Sequence, residues 1–307
     1  MLLSYTAAEN DCGRTVHSIV RREFRASTSL LRRLKAAGAI AVSGAPVFTD
    51  YRVTPGETVT ADIDAAERPC DNVPEQGSFE ILFENEGLIA VNKPAGVIVH
   101  PTHSRNTGTL SNFVAGYLLR TAQPCSCHAV NRLDRDTSGV VLFAKNSYVK
   151  ALASEALADS GASKEYLALV HGAMPESGAI DVPIRRLEER NMLRVASPDG
   201  QRAVTRYETV RTFGAGGESF SLVLLRLETG RTHQIRVHCS HVGHPVLGDK
   251  LYCTEGSRGL SQRLGVETQA LHAYRLAFAD PLSGQRIVVA APVPELFKSP
   301  GPAGLPL

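Results

Sequence analysis

From residue 79 to residue 297 short apolar runs alternate with polar breaks, in a rhythm that predicts strands more often than helices. "FEILFEN", "LIAVNK", "GVVLFAK", "EYLALVHG", "AVTRYETVRTF", "FSLVLLRLE", "HAYRLAFAD" and "QRIVVAA" are rich in β-branched and aromatic residues. Such runs, set between turn formers, read as strands. Two stretches have helical spacing, "TLSNFVAGYLLRTA" and "NSYVKALASEALADS", with Asn146 placed to cap the second. Successive strands with few helices between them predict an α+β unit on a mixed, largely antiparallel sheet, not a doubly wound one.

Ahead of this region lies a smaller unit. In "STSLLRRLKAAG" Ser27 or Thr28 can cap a helix, Leu30, Leu31 and Leu34 form its apolar stripe, and Gly38 ends it. The strand-like pieces "AIAVSG" and "ETVTADI" follow, parted by the turn residues Gly44, Pro46, Pro55 and Gly56. "DAAERPCDNVPEQGS" then loses all hydrophobic period and reads as a linker. The expected division is a unit over 1–64, a linker over 65–78, a second unit over 79–298 and a flexible Pro/Gly-rich tail over 299–307.

Composition bounds the function without naming it. At 307 residues, 43% hydrophobic and 21% charged, the chain can bury a core and wholesale disorder is excluded. No basic-then-apolar leader opens it, no apolar run is long enough to cross a bilayer, and six scattered Cys suit reduced thiols. A cytoplasmic protein is expected. Net charge is only +2, but Gly13 to Lys35 holds seven cations against Glu23 alone. A basic helical face is ordinarily solvated surface; the alternative is a patch that contacts phosphates through Arg21, Arg25, Arg32, Arg33 and Lys35. The helix, the "AIAVSG" strand and "TPGETVTADI" resemble the S4-type RNA-binding module, a small α/β unit, and that resemblance favours the phosphate-contacting reading.

Several chemistries lack their residues. There is no Gly-rich phosphate loop, no dinucleotide fingerprint and no paired CxxC. "CSCH" (125–128) falls short of a four-ligand set, and Gly243 and Pro245 disrupt the His238, His241, His244 spacing, so no metal is assigned. Ser138 has no nucleophile-elbow context. What remains is "HAVNRLDRDTSG" (128–139), where Asp134 and Asp136 interleave with Arg132 and Arg135, and "GRTHQIRVH" (230–238). With Thr232 as a helix N-cap, Arg231 would sit at the start of the helix and could reach Asp134, holding that carboxylate ionised and oriented. The pair could serve nucleophilic chemistry at Asp134, or simply tie two elements together.

Five segments decide between these. "ENEGLIAVNKPAGVIVHP" (84–101), "NRLDRDTSGVVLFAK" (131–145), "SKEYLALVHG" (163–172), "ETGRTHQIRVHCSHVGHPVLGDKLY" (228–252) and "LHAYRLAFADPLSGQRIVVAAPVPELF" (271–297) resemble, in order, the conserved blocks of the RluA-type pseudouridine synthases. The resemblance spans the whole second unit and implies that family's bent sheet flanked by helices, with the S4-like unit in front. It implies Asp134 as the catalytic aspartate, Arg231 as its partner, and Tyr166 as the stacking residue and a candidate for proton removal. It also implies substrate-binding roles for Arg132, Lys164 and Ile235, Arg132 helping to extrude the nucleotide and Ile235 walling the uracil pocket. Asn131 stands where the family usually has His.

The implied reaction detaches uracil from its sugar at N1 and rejoins it through C5. It gains and loses no atom overall, so no cofactor is expected. Asp134 would attack C1′ or C6, or deprotonate C2′. The implied partner is RNA: large-subunit ribosomal RNA suits an S4-bearing member best, with tRNA as the alternative. A non-catalytic RNA-binding protein would be expected to lack Asp134, Tyr166 or Arg231, and all three are present. A glycoside hydrolase would need a second acid carboxylate, for which Asp136 beside Arg135 is poorly placed.

Overall fold

The computed structural model describes residues 1–68, 72–102, 106–123, 126–188, 193–215 and 217–298. The expected tail, 299–307, lies outside them. Strands β1 (Leu2–Thr6), β2 (Ile40–Val42), β3 (Ala45–Pro46) and β4 (Thr58–Asp62), with helices α1 (Val16–Arg22) and α2 (Thr28–Ala36), make the N-terminal unit. Its sheet runs β1-β4-β2-β3 and is antiparallel throughout. Ser27 caps α2, accepting from the Leu30 N–H at 3.1 Å, and Leu30, Leu31 and Leu34 are buried beneath it. Apolar spacing does not mark α1, because a seven-residue helix gives the period only two turns in which to show.

The second unit continues with β5 (Glu80–Glu84), β6 (Leu88–Lys93), α3 (Leu110–Arg120), β7 (His128–Ala129), β8 (Ser138–Ala144), α4 (Ser147–Ala158) and β9 (Ser163–His171). Then follow β10 (Ser177–Asp181), β11 (Ile184–Arg186), β12 (Arg194–Ala196), β13 (Val204–Ala215), β14 (Glu218–Leu227) and α5 (Gln234–His241). Last come α6 (Glu255–Arg263), β15 (Leu271–Ala279), β16 (Arg286–Ala290) and α7 (Glu295–Lys298). All eight runs read as strands form strands. Both predicted helices form too, with Asn146 capping α4 by accepting from the Val149 N–H at 2.8 Å.

A ten-stranded sheet carries this unit in the order β10-β13-β14-β9-β15-β8-β6-β5, with β16 on β15 and β7 on β8. Its ladders among the described residues are antiparallel except β15 with β8, so the sheet is mixed and largely antiparallel as expected. The parallel contact is short and needs glycine. Gly139 pairs with Ala273 at φ +109°, and a Cβ there would strike the Ala273 backbone. Here "TSG" turns the chain into β8, next to the strand pair β15–β9.

The boundary near 64–78 marks a change of sheet, not a free tether. Asn112 on α3 donates to the Val73 carbonyl at 2.8 Å and receives the Glu75 N–H on its own carbonyl at 3.0 Å. Glu67 accepts from the Ser147 hydroxyl at 2.7 Å. Buried side chains of the N-terminal unit, Leu30, Leu31 and Leu34 among them, form one apolar cluster with Tyr148, Val149 and Leu152 of α4 and Phe278 of β15. No described helix is long and apolar enough to cross a membrane.

Candidate functional site

Asp134 lies in the loop that leads from β7 into β8. The loop is fixed before any charge is considered. Its Thr137 N–H donates back to the Asp134 carbonyl at 3.2 Å, and Gln269 Nε2 donates to Thr137 Oγ1 at 2.6 Å. Beneath it Lys93 is fully buried and donates to the carbonyls of Pro94, Val97 and Arg135 at 2.9, 2.7 and 2.7 Å. Burial pushes the Lys93 ammonium down to about 8, against the pull of Asp136 and Asp134. Asn131 supplies the other anchor. Its side-chain amide accepts from the Leu142 N–H at 2.7 Å and donates to the Val140 carbonyl at 3.2 Å. An amide offers donor and acceptor side by side, as a neighbouring strand would, so Asn131 is accounted for as a clip on β8.

The Asp134 carboxylate is met by Arg236, not by Arg231. Arg236 Nη1 donates to Asp134 Oδ2 at 2.8 Å, while its Nε and Nη2 fork onto Asp249 at 2.6 and 2.8 Å. The expected pairing fails because α5 begins at Gln234, after His233, instead of being capped at Thr232. Arg231 is left in the preceding turn, where its N–H donates to Gln234 Oε1 at 2.9 Å and its Nε to the Arg202 carbonyl at 3.1 Å. Arg236 is the third residue of the helix, with Asp249 wholly buried behind it and the Tyr252 ring 5.1 Å from its guanidinium carbon. Sequence reasoning missed Arg236, because "QIRVH" mixes polar and apolar residues and nothing in its spacing marks that arginine as buried.

Around this pair is a cavity lined by Asp134, Tyr166, Ile235, His233, Leu271 and the Arg231 side chain, among others. Tyr166 comes from β9 and Ile235 from the first turn of α5. Burial, and after it the Asp134 charge, push the Tyr166 phenol up to about 12. A wider groove shares Arg132, Asp134, Tyr166 and Arg231 and adds Lys164, whose ammonium burial pushes down. The structure therefore gathers Asp134, Tyr166, Arg231, Arg132, Ile235 and Lys164 on one concavity, Arg132 exposed at its edge.

The model of the RNA pseudouridylate synthase family matches residues 87–241, a span that holds Asp134, Tyr166 and Arg236. The chain belongs to this family. Its members are isomerases. An uncharacterised RNA pseudouridine synthase of Bacillus subtilis is 35% identical over 95% of this chain and 93% of its own. A ribosomal large subunit pseudouridine synthase D of Zymomonas mobilis is 35% identical over 89% of each chain. Among solved structures, human RNA pseudouridylate synthase domain containing 1 is similar with a TM-score of 0.58 and 28% identity, over 72% of this chain and 86% of that one.

The basic residues of the N-terminal unit divide. Arg33 donates through Nε to the Ala66 carbonyl at 3.0 Å and through Nη2 to Ser147 Oγ at 2.8 Å. Arg25 pairs with Glu155 on α4, and Arg21 bonds the Ala26 carbonyl. These three expected RNA-binding residues bond within the protein, Arg21 and Arg25 while still exposed, whereas Arg32 and Lys35 stand exposed on α2. A second basic concavity was not expected. Arg185, Arg186 and Arg194 of the β11–β12 hairpin, with Arg231, line a groove whose acidic lining residue is Asp199. Nothing in the spacing of those arginines places them together; the hairpin does.

Two of the three histidines considered as a metal set, His238 and His244, have structural partners. His238 is buried, bonded to Thr205 and to the Val182 carbonyl at 2.9 Å each, and His244 bonds the His171 carbonyl at 2.9 Å. Of "CSCH", Ser126 and His128 reach Glu67, and Cys125 lies outside the described residues.

Proposed function

We propose that this chain isomerises uridines of large-subunit ribosomal RNA to pseudouridine, with Asp134 as the group that opens the reaction. One observation carries the reading: a carboxylate gripped by a buried arginine in a cavity whose other walls are Tyr166 and Ile235. The ribosomal target is supported by relatives named for the large subunit. A uridine stacked in RNA cannot reach such a cavity, so the base must flip in, at a cost of a few kcal/mol. Stacking on Tyr166 returns about 1–3 kcal/mol, and Ile235 closes the other face.

Within the cavity the N1–C1′ bond breaks, the C5–C1′ bond forms, C5 loses a proton and N1 gains one. Among the described residues lining the cavity, Asp134 is the only acid. Arg236 fixes its orientation, and Tyr166 is the neighbouring group for the C5 proton. Arg132, exposed at the rim, would take the place of the extruded base or meet its phosphate, with the part-buried Lys164 in the same groove. Phosphates flanking the flipped nucleotide would run along Arg185, Arg186 and Arg194. The N-terminal unit, with its S4-like helix and sheet, would supply a second contact through Arg32 and Lys35.

The test is tritium release from ribosomal RNA carrying 5-tritiated uridine. Wild-type protein should release tritium, and Asp134→Asn should bind the RNA within about threefold of wild type yet release none above background, because the amide keeps the shape and loses the nucleophile. Appreciable release by the variant would show that Asp134 does not open the reaction. Carbodiimide-dependent reverse-transcription stops that vanish from 23S RNA in a deletion strain would name the uridine; stops lost only from tRNA would move the target.

A further inference from the structure

His233, the residue ahead of α5, has a left-handed backbone, φ 58° and ψ 18°, and makes no side-chain capping bond. A residue with a Cβ held there carries strain of about 1 kcal/mol or more, and such strain persists where the surroundings enforce it. What the turn achieves is direction. The ring, 10% exposed, lies with Nε2 3.8 Å from Asp134 Oδ1, the oxygen that Arg236 leaves unbonded. Its Nδ1 lies 2.8 Å from the Tyr252 hydroxyl oxygen.

The tautomer follows from the donors. The Arg194 backbone N–H donates to the Tyr252 oxygen at 3.0 Å, so the tyrosine's own proton is available to donate to His233 Nδ1. Nε2 is then the protonated nitrogen, and it faces the carboxylate. The opposite tautomer would aim a lone pair at an anion. The charged groups around the ring are Asp134 on the loop, Arg236 on α5, Asp249 on the following turn and Arg194 on β12. Burial, with the two arginines, holds the imidazole below its ordinary value against the two carboxylates, so the ring presents one N–H and no charge at neutral pH.

We propose that His233 is a positioning residue for Asp134: its Nε2–H directs the second carboxylate oxygen, and the Tyr252 hydroxyl selects the tautomer that makes this possible. A carboxylate held through one oxygen still swings about its Cβ–Cγ bond; a donor facing the other oxygen fixes its plane. The present separation exceeds hydrogen-bond range by about 0.6–1 Å, a gap that a small rotation of the carboxylate closes when a base fills the cavity. The inference rests on Asp134 as the catalytic group.

Two substitutions separate positioning from mere support of the turn. Asn tolerates the left-handed backbone but its amide is too short to reach Asp134, whereas Gln is strained there yet carries an N–H near the place of Nε2. His233→Gln should keep kcat within about fivefold of wild type, and His233→Asn should lose about tenfold or more in kcat with RNA affinity and melting temperature kept. Tyr252→Phe should fall between them. Nitrogen-15 histidine spectra of the whole wild-type protein should show the Nε2–H form at His233, lost in Tyr252→Phe.

A fully active Asn variant, a Gln variant no better than Asn at equal affinity, or an Nδ1–H ring in wild type would each overturn the assignment. The spectra read the tautomer even if a variant fails to fold. Wild-type protein that releases no tritium would instead refute the reading of Asp134, leaving the spectra as a separate result.

Discussion

The cavity around Asp134 and the basic face of α2 both hold positive charge, yet they treat it in opposite ways. In the cavity Arg236 is buried and its guanidinium is committed to two carboxylates, so its position is fixed to a single geometry. On α2, Arg32 and Lys35 are exposed, while the half-buried Arg33 has been recruited to hold the unit against α4 through Ser147. A buried, paired charge sets geometry; an exposed one adds a salt-dependent increment of affinity. Counting cations along a chain does not distinguish these uses.

Substitutions can break or sharpen that contrast. The largest effect is expected from Arg236→Lys, which keeps the charge but cannot span Asp134 and Asp249 together; turnover should drop by about a thousandfold in the tritium assay while RNA affinity changes little. If Lys suffices, orientation by the fork is not what the cavity requires. Next is Tyr166→Phe, which keeps the stacking face and removes the hydroxyl that would relay the C5 proton, taking it up while passing its own proton to the neighbouring Asp134 carboxylate; we expect about a hundredfold loss in single-turnover rate with affinity nearly unchanged. Loss of affinity instead would make Tyr166 a binding residue alone.

Affinity effects should be smaller and should depend on salt. Reversing Arg185, Arg186 and Arg194 to Glu should lower the slope of log affinity against log salt by about 2, and affinity itself by about tenfold or more. An unchanged slope would make the β11–β12 groove plain surface. Reversing Arg32 and Lys35 should lower the slope by about 1. Smallest of all, Arg33→Ala should leave the slope alone and lower unfolding stability by about 1 kcal/mol, because it loses bonds to Ala66 and Ser147 and no RNA contact. A slope change at Arg33 equal to that at Arg32 would erase the distinction drawn between them.

The strands of the large sheet were legible because each alternates or runs apolar between turn residues, a signal that depends on a few neighbours only. α6 was not, since "EGSRGLSQR" contains two glycines and mostly polar residues and is helical through its Thr254 cap and its packing under β9. Asp134, Tyr166 and Ile235 could be named from the motifs in which they stand. The partner of Asp134 could not, because Arg231 and Arg236 sit in one motif and differ only in where α5 begins, and that start is set by an unusual backbone at His233. The arginine groove was hidden for a related reason: it is assembled by a hairpin with no turn dipeptide to announce it. Asn131, a departure from the family's usual His, showed its meaning only when its amide was seen bridging to β8.

The apolar cluster that joins the N-terminal unit to α4 has a consequence for how the chain is made. The first unit leaves the ribosome with its own sheet complete but with the face meant for Tyr148, Val149 and Leu152 still bare. Its covering arrives only after β5, β6 and α3 have been synthesised. During that interval the nascent protein carries a sticky surface that only its own later residues can properly cover, so expressing the first unit alone would give a fragment prone to association, and the two halves are expected to mature as one.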